Sequence, residues 1–391
     1  MNRKAMRKKV KHPQVKERTR FRVSAALVFI NAFFIIVSAA FILISMWINS
    51  EKNLRDLSRT LINEIQQSVS TRTHSYFAVG AEVNKGLSFL LYHFFENPVA
   101  NERDGQNTFK YYGELMNIYP QFKMLYYSDT QGNLIMLNRM ADGSHSRRFV
   151  NNTGDYIRTR WEHHNPAYYS HYPNSNEMAE SGYDPRRRIW YRIAQEAKEL
   201  VWTPVYLFAT DHLPGFTCAA PVFDNFGNMI GVSSVDIAVN ELSRFLAGVQ
   251  PTPGTRVFIL DKENNLVAIQ AKKDEDFEKL FEKKIDQYGG LTYNIASLDV
   301  YPDDTSRIIL KKTLLAPEKY TRITHQGSNY ISMISPMSIG NGLDLNIGII
   351  IPENDIIGNM RMNMRIITMF SGAFLVLIVL ISGVISRAIA R

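Results

Sequence analysis

The sequence predicts an α+β protein in which a long N-terminal helix carries two modules built on antiparallel sheets, flanked by two transmembrane helices. Three observations predict it. Two uncharged apolar spans stand near opposite ends of the 391-residue chain. A proline-free stretch with apolar residues at helical spacing follows the first span. Between that stretch and the second span, the pattern changes to short β-type runs on either side of turn residues.

Residues 23–48 are nearly unbroken apolar sequence with one amide, Asn31, and no charge. At about 1.5 Å per residue such a helix exceeds a hydrocarbon core of roughly 30 Å, so it is expected to span a membrane. A secretory signal peptide is the alternative. However, the run outlasts an h-region and ends in Trp47, an interface residue, without an A-x-A site. Over residues 49–98, Leu54, Leu57, Leu61, Ile65 and Val69, then Phe77, Val83, Leu87 and Leu90, recur at helical spacing, with no proline before Pro98. One long helix is expected there, continuous with the span, its stripe packed on a partner or on the domain it supports.

Beyond it, runs 124–127 and 134–137 flank Asp129-Thr130-Gln131-Gly132-Asn133. Runs 217–222 and 229–237 flank Asp224-Asn225-Phe226-Gly227-Asn228, and 256–260 and 266–269 flank Asp261-Lys262-Glu263-Asn264-Asn265. Each predicts an antiparallel hairpin. A short helix over 240–246 precedes Pro251-Thr252-Pro253-Gly254, a boundary signal. A membrane-distal module is therefore expected over 99–246 and a membrane-proximal one over 252–352. The last strand pair, 330–334 and 345–351, turns through Ser338-Ile339-Gly340-Asn341-Gly342 and leads by helix to the second span, 366–385. That span is uncharged and just long enough to cross.

Charge sets the expected orientation. The tail, residues 1–22, holds ten Lys or Arg against one acid, Glu17, so it is expected to stay cytoplasmic, with about 49–365 outside. The formal net charge of +8 is accounted for by this tail. It reports topology and contact with anionic lipid, and excludes nucleic acid as the partner. One cysteine, Cys218, permits no intramolecular disulfide, so the outer region must be held by its core. Cysteine poverty also fits a bacterial envelope.

The chemistry concentrates in Tyr183-Asp184-Pro185-Arg186-Arg187-Arg188-Ile189-Trp190-Tyr191 and in Asp236 beyond it. A guanidinium matches a planar carboxylate with paired donors. Trp190, Tyr183 and Tyr191 put N–H or O–H groups on rigid apolar bodies. Asp236 interrupts the apolar strand Val-Ser-Ser-Val-Asp-Ile-Ala-Val, and a buried carboxylate needs a partner that a ligand ammonium would supply. Together these are the parts that hold a small zwitterion. The plainer readings are a solvated basic turn at a helix start for Arg186, Arg187 and Arg188, and an internal salt bridge for Asp236.

The long helix, the two modules, the Asp-Pro-Arg-x-Arg-x-Trp-Tyr segment, Trp202-Thr203-Pro204, and Ala220-Pro221-Val222-Phe223-Asp224 leading to Gly231-Val232 and Asp236 resemble the double-Cache sensor domain. That family, with its two PAS-like modules, serves bacterial chemoreceptors, sensor kinases and cyclic-dinucleotide enzymes. The resemblance covers about residues 25–390. Tyr183, Arg188, Trp190 and Tyr191 followed by Asp236 look like its amino-acid-binding subset. This implies that Tyr183, Arg188 and Trp190 contact the ligand carboxylate and that Tyr191 and Asp236 serve the ammonium. Tyr206 falls where the family often has a pocket tyrosine. Two residues on, where many members carry a carboxylate, this chain has Phe208, and Asp211 on the same loop is the expected substitute. Ser386-Arg387-Ala388-Ile389-Ala390-Arg391 resembles the start of a HAMP linker, which implies an output domain beyond it or a separate cytoplasmic partner.

His163, His164 and His171 match no zinc spacing, so no metal is expected. The tract 161–172 is expected to form a loop over the pocket. No phosphate-cradling loop, nucleophile elbow or metallohydrolase motif is present, so neither catalysis nor a cofactor is expected. The expectation is a membrane sensor for a small ligand, an amino acid first, with amines or small carboxylates as the alternative specificity. An envelope interaction protein with a vestigial pocket is the alternative class. Expected partners are that ligand, membrane lipid, a second copy of the chain in a homodimer, and a cytoplasmic signalling partner.

Overall fold

The computed structural model describes residues 15–94, 98–99, 102–154, 157–163, 178–179, 183–211, 213–249, 251–270, 281–285, 291–295, 297–316 and 320–389. The basic tail through residue 14 and positions 164–172 of the aromatic tract lie outside them. The chain divides into two units: Ile62–Asp355, and the two ends, through Leu61 and from Ile356.

Helix α1 spans Val15–His93. No proline or glycine falls between Lys16 and Gly80 to break it. Its buried line within Ile62–Asp355 is Ile62, Val69, Thr73, Phe77, Asn84, Leu87 and Leu91. Of the stripe expected from apolar spacing, Val69, Phe77 and Leu87 are in this line, while Leu57 is exposed and Leu61 and Ile65 are half-buried. Asn84 sits in the buried line because its Nδ2 donates to the carbonyls of Cys218 and Ser233 at 2.8 and 3.0 Å, while Ser233 Oγ donates back to Asn84 Oδ1 at 2.6 Å.

The larger sheet has nine antiparallel strands among the described residues. They are β1 (Met124–Asp129), β2 (Leu134–Arg139), β3 (His145–Asn152), β4 (Ile157–His163), β5 (Met178–Ala179), β6 (Val201–Trp202), β7 (Tyr206–Leu207), β8 (Pro214–Phe223) and β9 (Met229–Ala238). The order is β5-β4-β3-β2-β1-β9-β8-β6, with β7 beside β8. One face meets α1 and α2 (Glu102–Ile118), where Phe77 packs edge-on to Phe216 and Phe109 to Phe149. The other face lies against α3 (Ile189–Ala197). The smaller sheet runs β11-β10-β16-β15-β14, from β10 (Arg256–Leu260), β11 (Leu266–Ile269), β14 (Thr321–His325), β15 (Ser328–Gly340) and β16 (Leu343–Pro352). Helix α4 (Val239–Ala247) joins the two sheets. A separate hairpin pairs β12 (Phe281–Ile285) with β13 (Leu291–Ile295), and α5 is Asp304–Leu314.

The three predicted hairpins use one turn design. In each, an aspartate Oδ1 accepts the backbone N–H of the asparagine four residues on and its Oδ2 accepts that asparagine's amide: Asp129 with Asn133, Asp224 with Asn228, and Asp261 with Asn265. The residue before the asparagine is left-handed, which glycine adopts freely at Gly132 (φ 89°) and Gly227 (φ 82°), while Asn264 (φ 64°) fills the third.

Helix α6 spans Glu353–Ile389. Its first turn is pinned by Arg322, which donates to Glu353, and by Asp355, which accepts from Gly254 N–H at 2.6 Å and Thr252 Oγ1 at 3.1 Å. Among the described residues no helix is long and apolar enough to cross a membrane. The expected spans fall within α1 and α6. There many side chains, Asn31 and Trp47 among them, lie outside the description, and those described include Phe33, Phe41, Met369 and Phe370, all exposed.

Candidate functional site

Strand register assembles the site. Residues paired across a sheet share a face, and positions two apart along a strand return to it. Trp161, Arg148, Met136, Tyr126, Ser234 and Ala219 pair in succession across β4, β3, β2, β1, β9 and β8. Asp236 and Thr217 pair two positions further along on the same face. This face meets α3, and Met124, Tyr126, Met136, Trp190, Tyr191, Phe208 and Ala219 pack there with Tyr183 and Tyr206 at the margin.

Asp236 is 2% exposed. Tyr126 Oη donates to its Oδ1 at 2.8 Å and Thr217 Oγ1 at 2.6 Å. Tyr206 Oη lies 2.6 Å from Thr217 Oγ1. Since Thr217 gives its only proton to Asp236, Tyr206 is the donor in that contact. Burial lifts the Asp236 carboxyl to about 8, against the opposing pull of these two hydrogen bonds and of Lys123, with Asp211 adding to the lift. Burial likewise pushes the Tyr126 and Tyr206 hydroxyls well above the ordinary tyrosine value.

Opposite the sheet, Asp184 opens a 3-10 turn, Pro185–Arg187, by accepting from Arg186 N–H at 3.0 Å. Burial works against its ionisation, but the Arg186 guanidinium, at 2.8 Å from Oδ2, holds it below the usual carboxylate range. Arg186 and Arg187 are exposed. Arg188 occupies the junction of this turn with α3, in extended backbone at φ −78° and ψ 149°, and is half-buried. Its guanidinium lies 6.0 Å from the Tyr183 ring and makes no ion pair or side-chain hydrogen bond among the described residues. Trp190, 2% exposed, stands edge to face with Tyr126 at 4.9 Å. Trp190 thus meets Asp236 through Tyr126, Tyr183 packs at the edge of the same cluster, and Arg188 lies beside Tyr183.

Two predicted residues also have partners within the protein. The Tyr191 hydroxyl donates to the Asp129 carbonyl at 3.2 Å, and burial raises it to about 12. Asp211 pairs with Lys123 Nζ at 3.1 Å and accepts from Leu213 N–H. Phe208, the departure from the family pattern, is 2% exposed and packs over Gly215, where a Cβ would stand 2.1 Å from its ring. Tyr126, Thr217 and Arg148 escaped the sequence reading, because membership of this face follows from the register of strands far apart in the chain.

Elsewhere, a recess of about 420 Å³ is lined by Arg256, Phe258, Gln270, Tyr301 and Asp303. Arg256 is paired there with Asp303 and Ser306, and Gln270 bonds Val257, Leu246 and Val249, so its polar groups already serve the fold. No group of three or more candidate metal ligands occurs among the described residues. The His163 side chain, His164 and His171 lie outside them.

Residues 89–244 match the family model described as methyl-accepting chemotaxis protein-like, first PDC sensor domain. The sensory domain of the Campylobacter jejuni chemoreceptor Tlp3 is similar at TM-score 0.50 and 14% identity, covering 78% of this chain and 97% of that one. The Tlp3 ligand-binding domain in complex with L-valine gives TM-score 0.50 and 13% identity over 78% and 96%. The ligand-binding domain of the Pseudomonas aeruginosa amino acid chemoreceptor PctB with L-arginine gives 0.45 and 18% over 76% and 95%. No curated protein matches the chain significantly. The likeness to Tlp3 shows the fold, and residues 89–244 are similar to the first PDC sensor domain of methyl-accepting chemotaxis protein-like chains, in keeping with a double-Cache sensor.

Proposed function

We propose that this chain is the input module of a bacterial membrane receptor whose larger sheet binds a free amino acid. The observation that carries the reading is a half-buried guanidinium, Arg188, with no ion pair among the described residues, beside Tyr183 and two residues from Trp190, whose ring meets Tyr126 and through it the buried Asp236. Arg188 would take the ligand carboxylate, helped by the positive end of α3, which has no side-chain cap. Asp236 would take the ammonium. Its carboxyl, protonated for the most part at neutral pH, would ionise as the ligand arrives. The chemistry is binding, and the roles assigned to Tyr183, Tyr206 and Trp190 are walls and donors.

The chain would be anchored by α1 and α6. Residues 23–48 and 366–385 are uncharged, and most of the apolar side chains described there, Phe33, Phe41, Phe370 and Phe374 among them, are exposed. Ligand would bias the receptor only by favouring one arrangement of these helices over another. A homodimer and a cytoplasmic signalling partner complete the proposal.

A second reading, a small carboxylate without an ammonium, has its own support. Tyr191 and Asp211 are committed to Asp129 and Lys123, leaving Asp236 as the remaining acceptor for an amino group. Calorimetry on the full chain in detergent distinguishes the two, with an amino acid, its α-amide and its N-acetyl derivative as ligands. Binding lost with both derivatives is the expected result. Binding kept by the amide removes Arg188 as a carboxylate reader, and binding kept by the N-acetyl compound favours the carboxylate reading.

A further inference from the structure

Arg148 belongs to the same face as Asp236 and is 3% exposed. Its place follows from register: it pairs with Met136 on β2 and Trp161 on β4, in the row that continues to Tyr126 on β1. Its guanidinium lies 4.0 Å from the centre of the Tyr183 ring and 5.0 Å from that of Trp161. Tyr183 therefore faces two guanidinium groups, Arg148 and, at 6.0 Å, Arg188. A cation packed on aromatic faces keeps its charge while its position is fixed, which suits it to reading an anion.

The row also sets a distance. Adjacent strands stand about 4.8 Å apart, so Arg148 lies roughly 10 Å along the sheet from Tyr126, the residue that touches both Trp190 and Asp236. The α-ammonium and α-carboxylate of an amino acid are too close together for one to reach Arg148 while the other is held at Asp236. A group at the far end of the ligand side chain is not. Met136, which lies between, offers an apolar surface for the methylenes.

We propose that Arg148 is the specificity-determining residue of this site and that it selects amino acids whose side chain ends in a carboxylate, glutamate before aspartate. The proposal rests on the amino-acid reading of the site. The neutral isostere is the test, since glutamine keeps the shape of glutamate and removes the charge.

Isothermal calorimetry on the full chain in detergent, with L-glutamate, L-aspartate, L-glutamine and L-leucine as probes, is expected to show glutamate binding at least about thirtyfold tighter than glutamine, the weight of one buried charge pair. Arg148→Met should abolish that ratio while leaving glutamine within a few-fold of its wild-type affinity, and Arg148→Lys should restore part of it. The thermal midpoint of each variant without ligand, kept close to wild type, shows that the site is still folded. Glutamine or leucine binding as tightly as glutamate to the wild type overturns the proposal and leaves the amino-acid reading standing. A ratio that survives in Arg148→Met assigns the selectivity to another group and also overturns it. If none of the four probes binds, both the proposal and the amino-acid reading fail.

Discussion

At the scale of single residues the site rests on two charges of opposite fate. Arg188 is held at a helix start with its donors uncommitted among the described residues. Asp236 is buried and its carboxyl lifted to about 8. Removing one partner of a buried charge pair costs roughly 2–5 kcal/mol, about 30-fold to several-thousand-fold in affinity. Arg188→Ala and Asp236→Asn are each expected to abolish binding of a micromolar amino acid in calorimetry, with circular dichroism unchanged. Arg186→Ala, whose guanidinium serves Asp184, should alter affinity little. The lifted carboxyl adds a pH dependence whose sign follows from linkage. Between about 4 and 8 the folded chain holds a proton on Asp236 that the unfolded chain has released, so this group's contribution to stability falls as pH rises through that window. Ligand binding, which favours the ionised form, should strengthen over the same window by up to about tenfold per pH unit. Calorimetry across that window, in buffers of differing ionisation enthalpy, should show proton release on binding, and binding without release would mean that Asp236 is already ionised.

At the scale of elements, the sheet is read on one face and held on the other. Asn84 of α1 bonds the backbone of both β8 and β9, and β9 carries Asp236 on its opposite face. Any displacement of β9 on ligation would reach α1 through this contact. Asn84→Leu would leave the Ser233 hydroxyl without its acceptor, at a cost of about 1–3 kcal/mol. The expected outcome is a lower urea midpoint for the full chain. An unchanged midpoint would mean that Asn84 is not a clamp. The repeated Asp-x-x-(Gly/Asn)-Asn turn was visible in the chain because each of its contacts is local. The place of Asn84 in the buried line of α1 was not, because it depends on partners more than a hundred residues away.

At the scale of the whole molecule, the two sheets meet through defined contacts. Trp202 N–H donates to the Asn341 carbonyl at 2.9 Å, and Gln270 reaches back to the carbonyls of Leu246 and Val249. The start of α6 is tied to the smaller sheet by Arg322 and Glu353. The proposed topology, with the basic tail inside the cell, puts a reporter inserted near Pro251 and another fused after Arg391 on opposite sides of the membrane. Cytoplasmic signals from both would end the receptor proposal.

The sequence by itself determined the α+β class, the three hairpins with their turns and the helix α4, and it singled out the segment from Tyr183 to Tyr191 together with Asp236 as the proposed site. These follow from hydrophobic period, turn residues and a local motif, all properties of neighbours in the chain. Only the tertiary structure decided that Tyr126, Thr217 and Arg148 share a face with Asp236 and that Tyr191 and Asp211 are spent on Asp129 and Lys123. A strand shows its two faces alternately, and which face meets α3 is set by register between β1, β3, β8 and β9. A run of apolar and aromatic residues does not reveal that register until the strands are paired.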